Sequence, residues 1–162
     1  MRTLKIIAIV SVALLLVMLL MLWYLFLSAE VTVSVTSSQG VSAADVADFE
    51  STKTALNDGT FLGTTYHKPT QWKDATEYVY LTYTIHLKNG CLVPIDMIEV
   101  QVVPQPDDIA QIGDFRAVSL NAKSEGDLTT TILVPKDTHP VREMIVSYYV
   151  WGVSFQVKTI SQ

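Results

Sequence analysis

The chain has 162 residues, of which 49% are hydrophobic and 17% are charged, and its formal net charge is −5. This length favours one domain, and the acidic balance disfavours nucleic acid and anionic lipid as direct partners. The single cysteine, Cys91, excludes an internal disulfide and a cysteine-rich zinc site.

The first predicted element is an apolar helix over residues 6–27, a run that contains no charged residue. A helix of 22 residues is about 33 Å long, enough for the roughly 30 Å hydrocarbon core of a bilayer. We therefore predict a cytoplasmic tail over residues 1–5, a transmembrane helix over residues 6–28 and an extracytoplasmic domain over residues 29–162. The lipid bilayer is the partner expected for residues 6–28.

Charges on the two sides of the run predict its orientation. Arg2 and Lys5 precede it, whereas nine basic and sixteen acidic residues follow it and give that part a formal charge of −7. Because basic flanks stay on the cytoplasmic side, we expect a single-pass protein of the cell membrane with its N-terminus inside and its C-terminal domain outside. Trp23 and Tyr24, at the far end of the run, suit the headgroup boundary.

A cleaved signal peptide is the alternative interpretation of the same run. Signal peptides have shorter apolar stretches and end at a small-x-small site. The best candidate site, Leu27-Ser28-Ala29, has a bulky leucine where a small residue is needed. We therefore favour an uncleaved anchor.

The remainder of the chain alternates between apolar and polar residues in short segments, the pattern of half-buried strands. A turn is expected over residues 37–40, and Ser42 with Asp45 resembles a capping box before a short helix that ends at Asn57-Asp58-Gly59. Asn89 and Gly90 predict a tight hairpin turn. The predicted strands cover residues 30–36, 61–66, 77–88, the later half of 91–103, 115–120, 128–134, 145–150 and 153–159, the last two forming a hairpin.

About eight short strands with this alternation predict a mainly β fold with antiparallel pairing. The fold class expected is an N-terminal transmembrane α-helix followed by an Ig-like β-sandwich with one short helix. The likeness to Ig domains is architectural only, because the Cys…Trp…Cys pattern of true Ig domains is missing, and no family is assigned.

No catalytic, cofactor-binding or metal-binding residue is assigned from the sequence. His67, His86 and His139 are isolated from one another, and no glycine-rich phosphate loop or nucleophile elbow is present. Asp107, Asp108 and Asp114 lie on one predicted loop as candidate calcium ligands, but their order does not match the known calcium loop, and we favour solvated acids. We expect no cofactor and no enzymatic activity.

One strand carries a candidate binding surface. Tyr78, Tyr80 and His86 share the face of the 77–88 strand that is opposite to its apolar residues. Exposed aromatic side chains in a row are typical of binding surfaces. The alternative, which we favour, is that the short helix or a loop covers this face.

The function expected is that of a membrane-anchored extracytoplasmic module for protein binding or envelope assembly. Its partner would be another envelope or surface protein, and the oligomeric state is left open. A secreted binding protein released by signal cleavage is the first alternative. An enzyme with a dispersed site, built from histidines and acidic loop residues, is the second.

Overall fold

The structure, a computed structural model, describes residues 2–27, 30–113 and 118–161. Its first element is helix α1 (Arg2–Leu27), which includes most of the predicted cytoplasmic tail. Over Lys5–Leu25 the mean hydropathy is 3.0 and none of the helix is buried by the rest of the protein. The helix is therefore long and apolar enough to cross a membrane, a property that signal sequences share.

In the described part of the chain, nine strands and one further α-helix follow α1. Helix α2 covers Phe49–Asp58, and two 3-10 turns cover Ala43–Asp45 and Ala75–Glu77. The strands are β1 (Val31–Ser42), β2 (Gly63–Thr65), β3 (Tyr78–Asn89), β4 (Ile95–Val102), β5 (Ala110–Ile112), β6 (Val118–Leu120), β7 (Glu125–Pro135), β8 (Glu143–Val150) and β9 (Val153–Ile160).

The strands form two antiparallel sheets that pack face to face. Their orders are β1-β3-β7-β5-β2 and β6-β4-β8-β9. The main core lies between the sheets, because alternate residues of each strand point inward; Tyr83, Ile85 and Leu87 of β3 are almost fully buried there. The predicted mainly β fold with an N-terminal apolar helix and one short helix is thus confirmed, whereas the Ig-like description stays a prediction.

The hairpin predicted at Asn89 and Gly90 is wrong. Strands β3 and β4 belong to different sheets, so the chain crosses between the sheets at this point. Gly90 is needed for a close approach, because its N–H donates to the Glu30 carbonyl at 2.9 Å and a Cβ would lie 2.6 Å from the same oxygen. The Asn-Gly pair therefore marks a sheet-to-sheet connection.

Two predicted boundaries near α2 also change. The expected turn over residues 37–40 is part of β1, which passes a bulge at Thr36 and continues in register with β3 as far as Ser42. The Ser42 hydroxyl accepts from the Ala44 N–H at 3.3 Å and so caps a 3-10 turn, whereas α2 begins only at Phe49. Its C-terminal end, at Asp58 before a glycine, lies where the sequence placed it.

Later in the chain the acidic loop predicted over residues 104–113 contains β5. The strand predicted over 115–120 is observed as β6, and its residues 115–117 lie outside the described residues. The strand predicted over 128–134 is observed as β7, which begins three residues earlier, at Glu125. The final hairpin is confirmed, with Val150 opposite Val153.

Candidate functional site

The predicted tyrosine surface is not exposed. Tyr78 and Tyr80 are only 4% and 5% exposed, because α2 and a loop cover this end of β3. The Tyr78 ring lies 5.5 Å from Phe49 and 5.6 Å from Trp72, measured between ring centroids. The two tyrosines belong to a second hydrophobic core on the outer face of the first sheet. Tyr78 and Tyr80 are therefore core residues and do not form an exposed binding surface.

His86, the third residue of that candidate surface, lies about 20 Å further along the strand. It is half-buried, and its Nδ1 is 2.7 Å from Asp127 Oδ1, while its Nε2 is 3.8 Å from Glu125 Oε2. Both acidic residues lie on the neighbouring strand β7. The structure therefore separates His86 from the tyrosines and places it in a cross-strand cluster of polar side chains.

The acidic loop holds a buried ion pair instead of a set of free carboxylates. The side chains of Asp108 and Arg142 are 0% exposed. Asp108 Oδ1 accepts from Arg142 Nη2 at 2.7 Å, and its Oδ2 accepts from Arg142 Nε and the Gln105 N–H, each at 2.9 Å. Asp108 is therefore committed to Arg142. Asp107 is exposed, and Asp114 lies outside the described residues.

No group of three metal-ligating side chains occurs within residues 2–27, 30–113 and 118–161. His67, His86 and His139 are not brought together there. Cys91 is 1% exposed, and burial raises the pKa of its thiol. Cys91 is therefore a small buried hydrophobe, since a buried neutral thiol is a poor nucleophile.

A cleft of about 500 Å³ lies at one side of the sandwich. It lies where the end strands β2 and β5 of one sheet face β4 and β6 of the other. Residues 114–117, between β5 and β6 in the sequence, lie outside the described residues. Aliphatic and backbone groups make up much of its wall, and Glu99 is the one ionisable side chain among the described lining residues, which include Met97, Ile98, Val100, Gln111, Val118 and Leu128.

Gln111 is one of the polar residues of the cleft wall, and its side chain links the two sheets. Its Nε2 donates to the Val100 carbonyl at 2.7 Å and to Thr130 Oγ1 at 2.8 Å. Its Oε1 accepts from the Val102 N–H at 3.0 Å and from the Tyr66 hydroxyl at 2.7 Å. All of these hydrogen bonds are internal, so the Gln111 amide fixes the width of the cleft at this point.

Tyr66 extends that hydrogen-bond network, and its phenol is protonated at neutral pH. Its hydroxyl is also 2.9 Å from the Val102 carbonyl. Burial, and secondarily the charge of Asp108, raises the pKa of Tyr66 to about 12. The phenol is therefore a hydrogen-bond donor and not a general base. Sequence reasoning missed Gln111, Tyr66 and Arg142, because their partners lie far away in the chain and no local motif identifies them.

Comparisons with known proteins assign no family to this chain. No protein-family model matches the sequence, and no curated protein matches it. Among solved structures, a candidate lipoprotein of Bacillus subtilis, YcdA, is 12% identical with a TM-score of 0.42; the match covers 82% of this chain and 37% of that protein. A FixG-related protein from Vibrio parahaemolyticus is 10% identical with a TM-score of 0.38, covering 82% of this chain and 94% of the other.

This chain therefore spans 37% of the length of the Bacillus protein it matches. Both scores are too low to carry an argument about function.

Proposed function

We propose that this protein is a membrane-anchored module whose β-sandwich domain lies outside the cell and binds another protein of the envelope or cell surface. Helix α1 is the observation that carries the proposal, since residues 6–24 are exposed along their whole length. Each large apolar side chain moved from water into an apolar phase contributes about 1.5–3 kcal/mol. Lipid is the phase that suits a helix of this length.

The distribution of charge supports an extracytoplasmic domain. The basic residues Arg2 and Lys5 are at one end of α1, and the domain at its other end has a formal charge of −7. Basic flanks favour the cytoplasmic side of a membrane. A net charge of this size also keeps a small domain soluble.

The use of ionisable side chains supports binding in preference to catalysis. Asp108 is committed to Arg142, His86 faces Asp127, and the phenol of Tyr66 stays protonated. The cleft wall offers aliphatic surface, one carboxylate, Glu99, and the Gln111 amide, whose hydrogen bonds are made within the protein. Such a wall suits a neutral, partly apolar segment of a partner protein.

Fractionation of cells that express the full chain tests the anchor. We expect the protein to stay with membranes during an alkaline carbonate wash, to need detergent for release, and to begin at Met1 or Arg2 by intact mass. A Leu15→Arg/Leu16→Arg variant should shift into the wash, because each charge at the centre of a span costs about 2.5–3.5 kcal/mol on insertion scales. Leu15→Met/Leu16→Met is the matched control and should stay in the membrane.

Two outcomes would contradict the anchor. Full-length protein in the carbonate wash would show that α1 does not span a bilayer. A mature product beginning near residue 30 would identify a secreted protein released by signal cleavage, the first alternative.

Crosslinking in membranes tests the binding role of the cleft. Met97 is 65% exposed at the cleft, whereas Ile160 is 61% exposed on β9, the end strand at the opposite edge of its sheet. We expect Met97→Asp to lose a crosslinked partner protein that the wild type and Ile160→Asp both retain. Equal capture by all three would exclude the cleft, and a hydrolytic activity of the purified full chain would favour an enzyme.

A further inference from the structure

The end of the domain nearest α1 is held close to the point where that helix ends. Helix α1 ends at Leu27 and β1 begins at Val31, so their Cα atoms are at most about 14 Å apart. Val31 pairs with Asn89, and the Glu30 carbonyl accepts from the Gly90 N–H. The β3–β4 connection is thereby fixed at the same end.

Two chain connections present large apolar side chains at this end. Leu92, in the β3–β4 connection, is 55% exposed, and Trp151, in the turn between β8 and β9, is 52% exposed. Both line a small crevice together with Leu25 of α1. The tips of these two connections therefore lie beside the last turns of the membrane-spanning segment.

The backbone conformation of Trp151 is unusual for a residue of its size. Trp151 and Gly152 form a two-residue hairpin turn with φ angles of 49° and 77°. Turns with two positive φ angles favour asparagine or glycine, and a bulky residue at the first position is an outlier. Turn geometry alone therefore does not favour a tryptophan at this position.

Two aromatic residues of α1 lie close to Leu25, the helix residue that lines the crevice with Leu92 and Trp151. Trp23 and Tyr24 are 66% and 65% exposed and directly precede Leu25. Indole and phenol rings favour the boundary between lipid chains and water, since one part is apolar and the other polar. Trp151 is thus placed beside a pair of aromatic residues suited to the lipid headgroup region.

We propose that Leu92 and Trp151, the membrane-facing rim of the domain, dock into the headgroup region of the bilayer that α1 crosses. The proposal rests on the proposed function in one respect, namely that α1 spans a bilayer. Docking occurs by insertion of apolar side chains and not by charge, because the domain has a formal charge of −7. The sequence alone had indicated that the domain stays away from anionic lipid; the rim contacts the headgroup region without needing anionic lipid.

This docking would fix the orientation of the whole domain. Strand β3 runs from the rim at Asn89 to Tyr78, about 36 Å for its twelve residues. Trp72 packs against Tyr78 and therefore lies at the end of the domain remote from the rim. The α2-covered end would face away from the membrane.

Fluorescence quenching of the full chain in phosphatidylcholine vesicles tests the proposal. The Trp23→Phe variant retains Trp72 and Trp151, and the Trp23→Phe/Trp151→Phe variant retains only Trp72. With bromine on the phosphatidylcholine acyl chains near the headgroup, we expect the first variant to lose the emission of Trp151 and the second to lose none. Bromine near the chain ends should quench Trp151 less than bromine near the headgroup.

A third variant separates this proposal from the anchor on which it rests. Trp151→Phe retains Trp23, so quenching of Trp23 reports insertion of α1 alone. Quenched Trp23 with unquenched Trp151 would overturn the rim proposal and leave the anchor intact. Unquenched Trp23 would overturn both. Shielding of Trp151 from aqueous iodide without quenching by brominated lipid would indicate a second copy of the chain on the rim, and it would also overturn the proposal.

Discussion

Asn89 determines how the chain leaves one sheet and enters the other. Its side chain is 1% exposed, and its Nδ2 lies 2.9–3.2 Å from the carbonyl oxygens of Val93, Leu120 and Asn121. Its Oδ1 accepts from the Cys91 N–H at 2.9 Å. A carboxamide is required here, because it offers donors and an acceptor at one site whereas a carboxylate only accepts.

Replacing Asn89 with aspartate should strongly destabilise the domain. The carboxylate would face three carbonyl oxygens without a proton to donate, and unsatisfied buried polar groups cost about 1–3 kcal/mol each. We expect a loss of about 3 kcal/mol in the free energy of unfolding, measured by urea titration of the full chain in detergent micelles. The exposed Asn121→Asp is the control and should lose less than about 0.5 kcal/mol. Equal urea midpoints for the two variants would contradict this role.

At the scale of elements, the buried pair Asp108–Arg142 joins the connection before β5 to the start of β8. Arg142 donates additionally to the carbonyl of Val141 at 2.9 Å and to that of His139, and its own N–H donates to Ser161 Oγ at 2.8 Å. The guanidinium therefore joins two segments of chain around one charge, and the backbone N–H of Arg142 joins the C-terminal segment to them. Since both side chains are fully buried, neither charge can be solvated if its partner is removed.

Breaking this pair should cost more than breaking an exposed one. Asp108→Asn leaves the Arg142 charge uncompensated, and we expect a loss of about 3–5 kcal/mol in the free energy of unfolding. Replacing both residues, Asp108→Leu with Arg142→Met, should recover much of that loss. Glu143 and Lys158 form an exposed pair 2.9 Å apart, so Glu143→Gln is the control and should cost less than about 1 kcal/mol. A single variant no more costly than this control would contradict the account.

The alternation of apolar and polar residues predicted those strands that pack one face against the core between the sheets. Strand β3 and the β8–β9 hairpin alternate cleanly because one face of each lies against the opposite sheet. The same pattern gave no information about the other face of β3, where Tyr78 and Tyr80 are buried by α2. An exposed aromatic row and a covered one have the same alternation, so only the tertiary packing distinguishes them.

The errors at turns have a comparable origin. Residues 37–40 are rich in serine and glycine and are typical of a turn, yet they pair with β3 because that strand is long enough to extend β1. The Asn-Gly pair at residues 89–90 allows both a hairpin and a close backbone approach. The cleft is lined by residues of β2, β4, β5, β6 and β7. Because these residues are distant in sequence, no local pattern predicts the cleft.

At the scale of the whole molecule, an apolar helix and a β-sandwich are joined with little chain between them. The helix has lipid-suited residues on all sides, and the domain has its polar, acidic surface beyond it. In the proposed function the helix lies in lipid, whereas the domain lies in water on a single side of the bilayer. The central claim of the proposed function is that the domain lies on the extracytoplasmic side.

Cysteine labelling in spheroplasts tests that claim most directly. Native Cys91 is buried and its pKa is raised, so it adds little background. Asp137→Cys places a thiol on an exposed turn of the domain, and Thr3→Cys places one at the exposed start of α1. We predict that a membrane-impermeant maleimide labels Asp137→Cys in intact spheroplasts and labels Thr3→Cys only after detergent lysis. Labelling of Thr3→Cys with protection of Asp137→Cys would contradict the account.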